Sequence, residues 1–204
     1  MAMKGGNNGE SHNHNDVGSF IVYADNQPLL IDPGVGEYTA ATFGQNRYDI
    51  WTMQSQYHNL PKINGFDQKD GQQYAARVVG YKQGKLCLDI AGAYPKEAGI
   101  NRWKRTFVAM KSGISITEDY ELVHIITPSQ LMFLTTIQPV VSPGRVNLGH
   151  HRIEYDNHQL QASVEDISNL LDPLLQQMWG QQMYRIILTI PSPKARNTIQ
   201  YVIR

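Results

Sequence analysis

At 204 residues the chain has the length of one ordinary domain. Its 18 Lys+Arg balance 18 Asp+Glu to a formal net charge of zero. This disfavours nucleic acid as a partner, because duplex-binding proteins carry a basic excess. Hydrophobic residues make up 41%, ample for a core, yet no apolar run approaches the ~18 residues that a membrane span requires. Met1–Glu10 also lacks the apolar centre of a signal peptide.

In chain order, the first distinctive stretch is Gly9-Glu-Ser-His-Asn-His-Asn-Asp16, which crowds two histidines and an aspartate into eight residues. Beyond it the apolar pattern has period two almost throughout. The alternation predicts strands over 18–24, 28–32, 73–81, 85–91, 103–110, 114–122 and 131–137. Four more follow over 151–155, 159–165, 183–190 and 198–204. Short connectors rich in turn residues separate them, such as Ala24-Asp-Asn-Gln27, Lys82-Gln-Gly84 and Ser142-Pro-Gly144. Only 165–179 has helical spacing, and Pro173 interrupts it. Many short antiparallel strands with little helix predict an all-β fold, a single large antiparallel β-sandwich spanning 1–204. The lone Cys87 excludes an internal disulfide and a cysteine-rich zinc site; within the alternating run 85–91 it reads as a small buried apolar residue.

On an extended strand, residues i and i+2 share a face ~6.6 Å apart, so His12 and His14 are expected to approach the same cleft. Asp16 would lie ~13 Å beyond His12 if the segment ran straight, too far to join both on one ion. It reads instead as a structural hydrogen-bonder, with Asn13 and Asn15 turned to the opposite side to hold the local turn. Two further positions stand out. Asp32 ends an apolar strand, with Pro33-Gly34 forcing a turn behind it, and His58 lies in the polar, Pro- and Gly-punctuated segment Ser55–Gly65. Zinc takes histidine nitrogen and carboxylate oxygen in tetrahedral sites, and His14, Asp32 and His58 would make such a set. Bland readings compete with this. An H-x-H is often a surface pair, an Asp before Pro-Gly is usually a turn former, and a His near a turn is often only polar. His124, His150, His151 and His158 read as strand-end or loop residues without a role. The cupin metal motif is matched by Gly6, His12 and His14 but lacks its following Glu, since Gly18 and Ser19 stand there.

Taken together, Lys4–Thr39 and Arg47–Gln68 resemble the β-sandwich region of the heparinase II/III-like polysaccharide lyases. The resemblance rests on H-x-H-x-D-x-G-S-F at 12–20, D-P-G at 32–34, and the Tyr57-His-Asn element followed by Asn64-Gly65, occurring together and in order. It continues more weakly through 93–110 and 116–122; beyond about 140 only the strand pattern continues.

The resemblance implies a lyase that cleaves uronic-acid-containing acidic polysaccharides, of heparin, heparan sulfate or alginate type, by β-elimination. It implies a zinc ion held by His14, Asp32 and His58 in a structural role, with His12 reaching the substrate cleft as the catalytic residue contributed by this domain. It also implies a partner, an N-terminal α/α-toroid in the same polypeptide that supplies a catalytic tyrosine, and a periplasmic or secreted location. No toroid is visible in these 204 residues. Tyr38, Tyr48 and Tyr57 read as rim aromatics, so the chain is expected to be a C-terminal piece, inactive alone and prone to self-association through a face carrying Glu10, His12 and Arg47. Two other functions remain open to the sequence: a metal-stabilised module that binds carbohydrate or a partner without chemistry, and a structural β-domain without metal.

Overall fold

The computed structural model describes residues 1–204. Its strands are β1 (Ala2–Met3), β2 (Asn7–Asn8), β3 (Phe20–Ala24), β4 (Gln27–Leu30), β5 (Pro61–Lys62) and β6 (Gly71–Ala75). They continue with β7 (Arg77–Lys82), β8 (Lys85–Asp89), β9 (Ile100–Met110), β10 (Gly113–Leu122), β11 (Gln130–Thr135) and β12 (Val140–Ser142). The last are β13 (Arg145–Leu148), β14 (His151–Tyr155), β15 (Gln161–Asp166), β16 (Tyr184–Thr189) and β17 (Arg196–Ile203), with one helix, α1 (Pro173–Trp179).

An eight-stranded antiparallel sheet in the order β12-β13-β14-β17-β10-β9-β8-β7 forms one layer. Facing it are a four-stranded sheet, β15-β16-β11-β5, and a three-stranded one, β1-β3-β4; β2 and β6 pair separately. The predicted sandwich is therefore present. Alternation works because successive strand side chains point to opposite faces. On β9, Trp103, Arg105 and Phe107 are buried, and on β10, Ile116, Glu118, Tyr120 and Leu122. Rings bridge the layers: Phe20 meets Phe107 edge-on at 5.2 Å between centroids, and Phe133 meets Tyr201 at 5.4 Å. These residues belong to a continuous core of 28 buried hydrophobic side chains.

Two expected turns have the geometry that two-residue hairpins need. Asp25 and Asn26 (φ 50° and 62°) join β3 to β4, and Gln83 and Gly84 (φ 42° and 77°) join β7 to β8. Positive φ at both central positions matches the twist of the flanking strands. The expected strand 73–81 is broken at Ala76 into β6 and β7, and Cys87 is half-buried rather than buried. Pro173 begins the helix instead of interrupting it. Asp172 caps α1, accepting a hydrogen bond from the Leu175 amide, and Pro173 occupies the first turn, where no N–H is required.

Between β4 and β5 no strand forms. The chain instead runs through four short 3-10 turns at Ala40–Phe43, Arg47–Asp49, Trp51–Met53 and Ser55–Tyr57. A second apolar cluster of Ile31, Leu134, Ile167, Leu171, Leu175 and Met183 anchors this region to α1. The segment after Asp32 is fastened there as well. Trp179 Nε1 donates to the Pro33 carbonyl, and the Glu37 amide donates to Asp172 Oδ2. Gly36, at φ 73°, lies so close to Asp172 that a Cβ would meet its carboxylate at 2.3 Å.

Candidate metal centre

His14, Asp32 and His58 come from three separate segments, and each segment is fixed by a different local device. Asp32 follows β4, where Pro33-Gly34 turns the chain; Gly34 has φ 77°, and its amide donates to Asp32 Oδ1 at 3.1 Å. His58 follows the last 3-10 turn, its amide closing that turn onto the Ser55 carbonyl.

His14 lies in the ligand-rich stretch, and here the structure corrects the expectation from sequence. Residues 9–19 are not a strand. The Asn13 amide donates to the Glu10 carbonyl, closing a turn in which His12 adopts φ 57°. Such a left-handed backbone is uncommon outside glycine, though histidine is among the residues enriched there. His12 is exposed while His14 is 8% exposed, so the two histidines do not share a face. Asn13 holds the turn: its Nδ2 donates to the Asn8 carbonyl at 2.5 Å, and its Oδ1 accepts from Tyr48 Oη at 3.0 Å. Arg47 Nε and Nη2 donate to the Asn13 carbonyl at 3.2 and 2.9 Å, and Nη1 to that of Thr42. Asn15 donates only its amide, to the Met53 carbonyl.

The bend also relocates Asp16. It pairs with Lys4 Nζ at 2.5 Å and shares with Asp32 a cavity of about 200 Å³ beneath β1. Its structural hydrogen-bonding role stands, but the straight-chain separation does not apply. Burial raises the Asp16 carboxyl, opposed by the charges of His58 and Lys4.

Candidate ligand atoms of His14, Asp32 and His58 all lie within 4.8 Å of one another. His58 Nδ1 is 2.8 Å from Asp32 Oδ2, and the two imidazoles are 5.3 Å apart between centroids. His58 is fully buried, whereas 32% of the Asp32 side chain remains open. Burial, reinforced by the His58 charge, lowers His14 to about 4, so its ring is neutral and offers a lone pair at neutral pH. Burial alone would raise Asp32, but the charge and hydrogen bond of His58 and the Gly34 amide outweigh it and hold the carboxyl low. Burial would likewise lower His58, but Asp32 prevails and raises it.

This donor set fits a metal ion. Ligands must be deprotonated to coordinate; His14 is neutral and Asp32 ionised, and because Asp32 favours the protonated form of His58, metal would compete with a proton there. In addition, His58 Nε2 is buried without a hydrogen-bond partner. Leaving such an atom unsatisfied costs on the order of 1–3 kcal/mol.

Sequence reading thus placed all three members of the cluster but missed the contacts that support it. Lys4 carried no signal; Arg47 and Tyr48 were placed near His12 and at the rim, but their contacts to Asn13 were not visible, since each is made only because the chain bends. Asn59 sits within the Tyr57-His-Asn element, so its position was visible although its contacts were not.

Known proteins agree with this architecture. The family model described as Heparinase II/III-like, C-terminal, matches residues 1–114, more than half of the 204. No curated protein matches the chain. Among solved structures, the crystal structure of heparinase III is similar in fold, with a TM-score of 0.61 at 19% identity. That match covers 95% of this chain and 30% of the heparinase III chain, so the present chain spans under a third of that protein's length. With the sandwich in place and the family model matching the segment that carries the cluster, the chain belongs to the Heparinase II/III-like, C-terminal family.

Proposed function

We propose that this chain is the β-sandwich part of an exported polysaccharide lyase acting on uronate-containing polymers. In this reading His14, Asp32 and His58 hold a zinc ion, and His12 faces substrate. The observation that carries it is the juxtaposition of a two-histidine, one-carboxylate cluster with an exposed histidine two residues away, on a turn braced by Asn13 and Arg47.

Two neutral imidazoles and a carboxylate suit zinc better than the hard, oxygen-preferring cations. When bound, the zinc would tie together three segments whose ligand residues all lie outside strands; its role is structural. The chemistry falls to other groups. In β-elimination a base removes the proton at C5 of the uronate and that electron pair forms the C4–C5 double bond. The C4–O4 bond then breaks, and an acid protonates the departing O4. Charge developing on the uronate carboxylate must be neutralised by donors aimed at it. His12 is the group of this chain suited to that task, as hydrogen-bond donor to the carboxylate or as a participant in proton transfer. The Asn13 and Arg47 contacts fix the turn that directs it. The family and the limited coverage of heparinase III support a partner domain in the same polypeptide that completes the cleft.

The test uses the full-length protein and follows the ultraviolet absorbance of unsaturated uronate products on heparan sulfate and alginate. The expected outcome is product formation that falls by orders of magnitude in His12→Ala while zinc content is retained. Glycan binding that survives His12→Ala, with no product from any uronate polymer, would replace this reading with a binding module.

A further inference from the structure

We propose that Asn59, backed by Arg105, is a positioning residue that assembles the three metal-binding segments before any metal arrives, and thereby sets metal affinity. This rests on the zinc reading above. Asn59 is fully buried, and every polar group it owns is committed to one of those segments or to the core beside them. Its Nδ2 donates to the Phe20 carbonyl at 2.6 Å and to the Ile31 carbonyl at 3.0 Å. Its Oδ1 accepts from the Leu134 amide at 2.8 Å, and its own amide donates to Ser19 Oγ at 3.3 Å. Arg105 Nη1 completes the set, donating to the carbonyls of Asn59 and Gly18 at 2.7 and 3.0 Å.

The positions of these partners are what matter. Asn59 directly follows His58, and Ile31 directly precedes Asp32. Gly18, Ser19 and Phe20 lie four to six residues after His14, where the turn closed by the Ser19 amide on the Asp16 carbonyl leads into β3. One carboxamide and one guanidinium, both fully buried, therefore touch the backbone of all three ligand segments. Neither group points at the ligand atoms. Their effect is geometric: they remove backbone freedom that the metal would otherwise have to freeze, which is how supporting groups around a metal site raise its affinity. Arg105 is itself immobile, because its Nε donates to the buried Glu118 at 2.7 Å and Glu118 also accepts from Trp103 and Tyr201. The sheet thus transmits its rigidity to the loops through Arg105 and Asn59.

A second asparagine provides the control. Asn64 is equally buried and makes the same kinds of bond: its Nδ2 donates to the Ala98 and His124 carbonyls, its Oδ1 accepts from the Ile126 amide, and its own amide donates to Ser129 Oγ. None of those partners adjoins a ligand. Zinc affinity of the full chain is measured by competition with a chromophoric chelator, well below each variant's melting temperature. Asn59→Ala is expected to weaken zinc by about tenfold or more, and Asn64→Ala by less than about twofold despite a comparable loss of thermal stability. Equal effects of the two variants, or no effect of Asn59→Ala, would overturn the proposal.

Should Asn59→Ala fail to fold, amide exchange in the wild type decides. The Leu134 amide, held by Asn59, and the Ile31 amide, held by the Leu134 carbonyl, should stay equally protected with zinc bound and after chelation. Their exposure on chelation would show that metal, not Asn59, assembles the site, and would overturn the proposal. A wild-type chain that takes up no zinc would instead remove the reading on which it rests, and the proposal with it.

Discussion

The eight-stranded sheet and the region 4–68, which carries the candidate metal cluster, reach the same rigidity by opposite routes. In the sheet, β9, β10 and β17 are 11, 10 and 8 residues long, and their main-chain ladders fix the backbone. Side chains then decide only which face is buried. In the region 4–68 the longest strand has 5 residues, and side chains hold the backbone instead: Asn13 and Arg47 at the histidine turn, Asn59 between three segments. A ladder tolerates changes of side chain as long as polarity alternates. A loop built on individual carboxamides and guanidiniums depends on each of them. The second arrangement lets residues far apart in sequence bring ligand atoms together, which a regular ladder with its fixed alternation does less readily.

The two regions meet at Arg105, and the largest expected effect lies there. Arg105→Ala leaves Glu118 charged and buried without its partner, and should cost roughly 3–5 kcal/mol in urea unfolding. Replacing both, as Arg105→Met with Glu118→Gln, should recover part of that loss, because it removes the buried charge while keeping an acceptor for Trp103 and Tyr201. The double variant should still lose the bonds to Gly18 and Asn59, so a recovered sheet with a weakened metal site would sharpen the contrast. A single variant costing under about 1 kcal/mol would break it.

The next effect is pH-dependent and belongs to the metal-free protein. His14 protonates near 6.5 in the unfolded chain but only at about 4 in the fold, so between those values the unfolded state binds more protons. Stability is therefore lost as pH falls from 6.5 towards 4, by on the order of 2–3 kcal/mol. His58 works in the other direction: its folded value is raised above 6.5, so its contribution is fully present below 6.5 and is lost as pH rises through the raised folded value. Unfolding curves of wild type and His14→Gln should diverge on the acid limb alone. Identical acid limbs would contradict the burial and neutrality of His14.

The smallest effect separates local strain from function. His12→Gly relieves a positive φ and should change stability by no more than about 1 kcal/mol, in the stabilising direction. On the proposed reading, the same variant of the full-length protein should lose lyase activity. Loss of stability instead would mean that His12 packs within the fold.

The same contrast explains what could be read from the sequence. Alternation placed Trp103, Arg105 and Phe107 on one face, and all three are buried together; it gave no hint that Arg105 would be paired with Glu118 there. The hairpin turns at Asp25-Asn26 and Gln83-Gly84 were legible because the turn residues are diagnostic. Strands β1, β2, β5, β12 and β13, of 2–4 residues, are too short to show a period, and they were missed. At the site, residue chemistry and resemblance identified His14, Asp32 and His58, whose convergence the fold provides. The local backbone was misread, because period-two spacing of His12, His14 and Asp16 imitates a strand. The deciding residue was Asn13, whose carboxamide reaches back to Asn8 and bends the chain. No pattern of polarity records such a contact.

The central claim is that His14, Asp32 and His58 form one metal site while His12 stands outside it. The most direct test is elemental analysis of the purified chain after zinc loading and exhaustive dialysis. Close to one zinc per chain is expected for wild type and for His12→Ala, with near-complete loss in His14→Ala, Asp32→Ala and His58→Ala. Zinc retained by those three variants, or zinc lost in His12→Ala with the fold intact, would contradict the account.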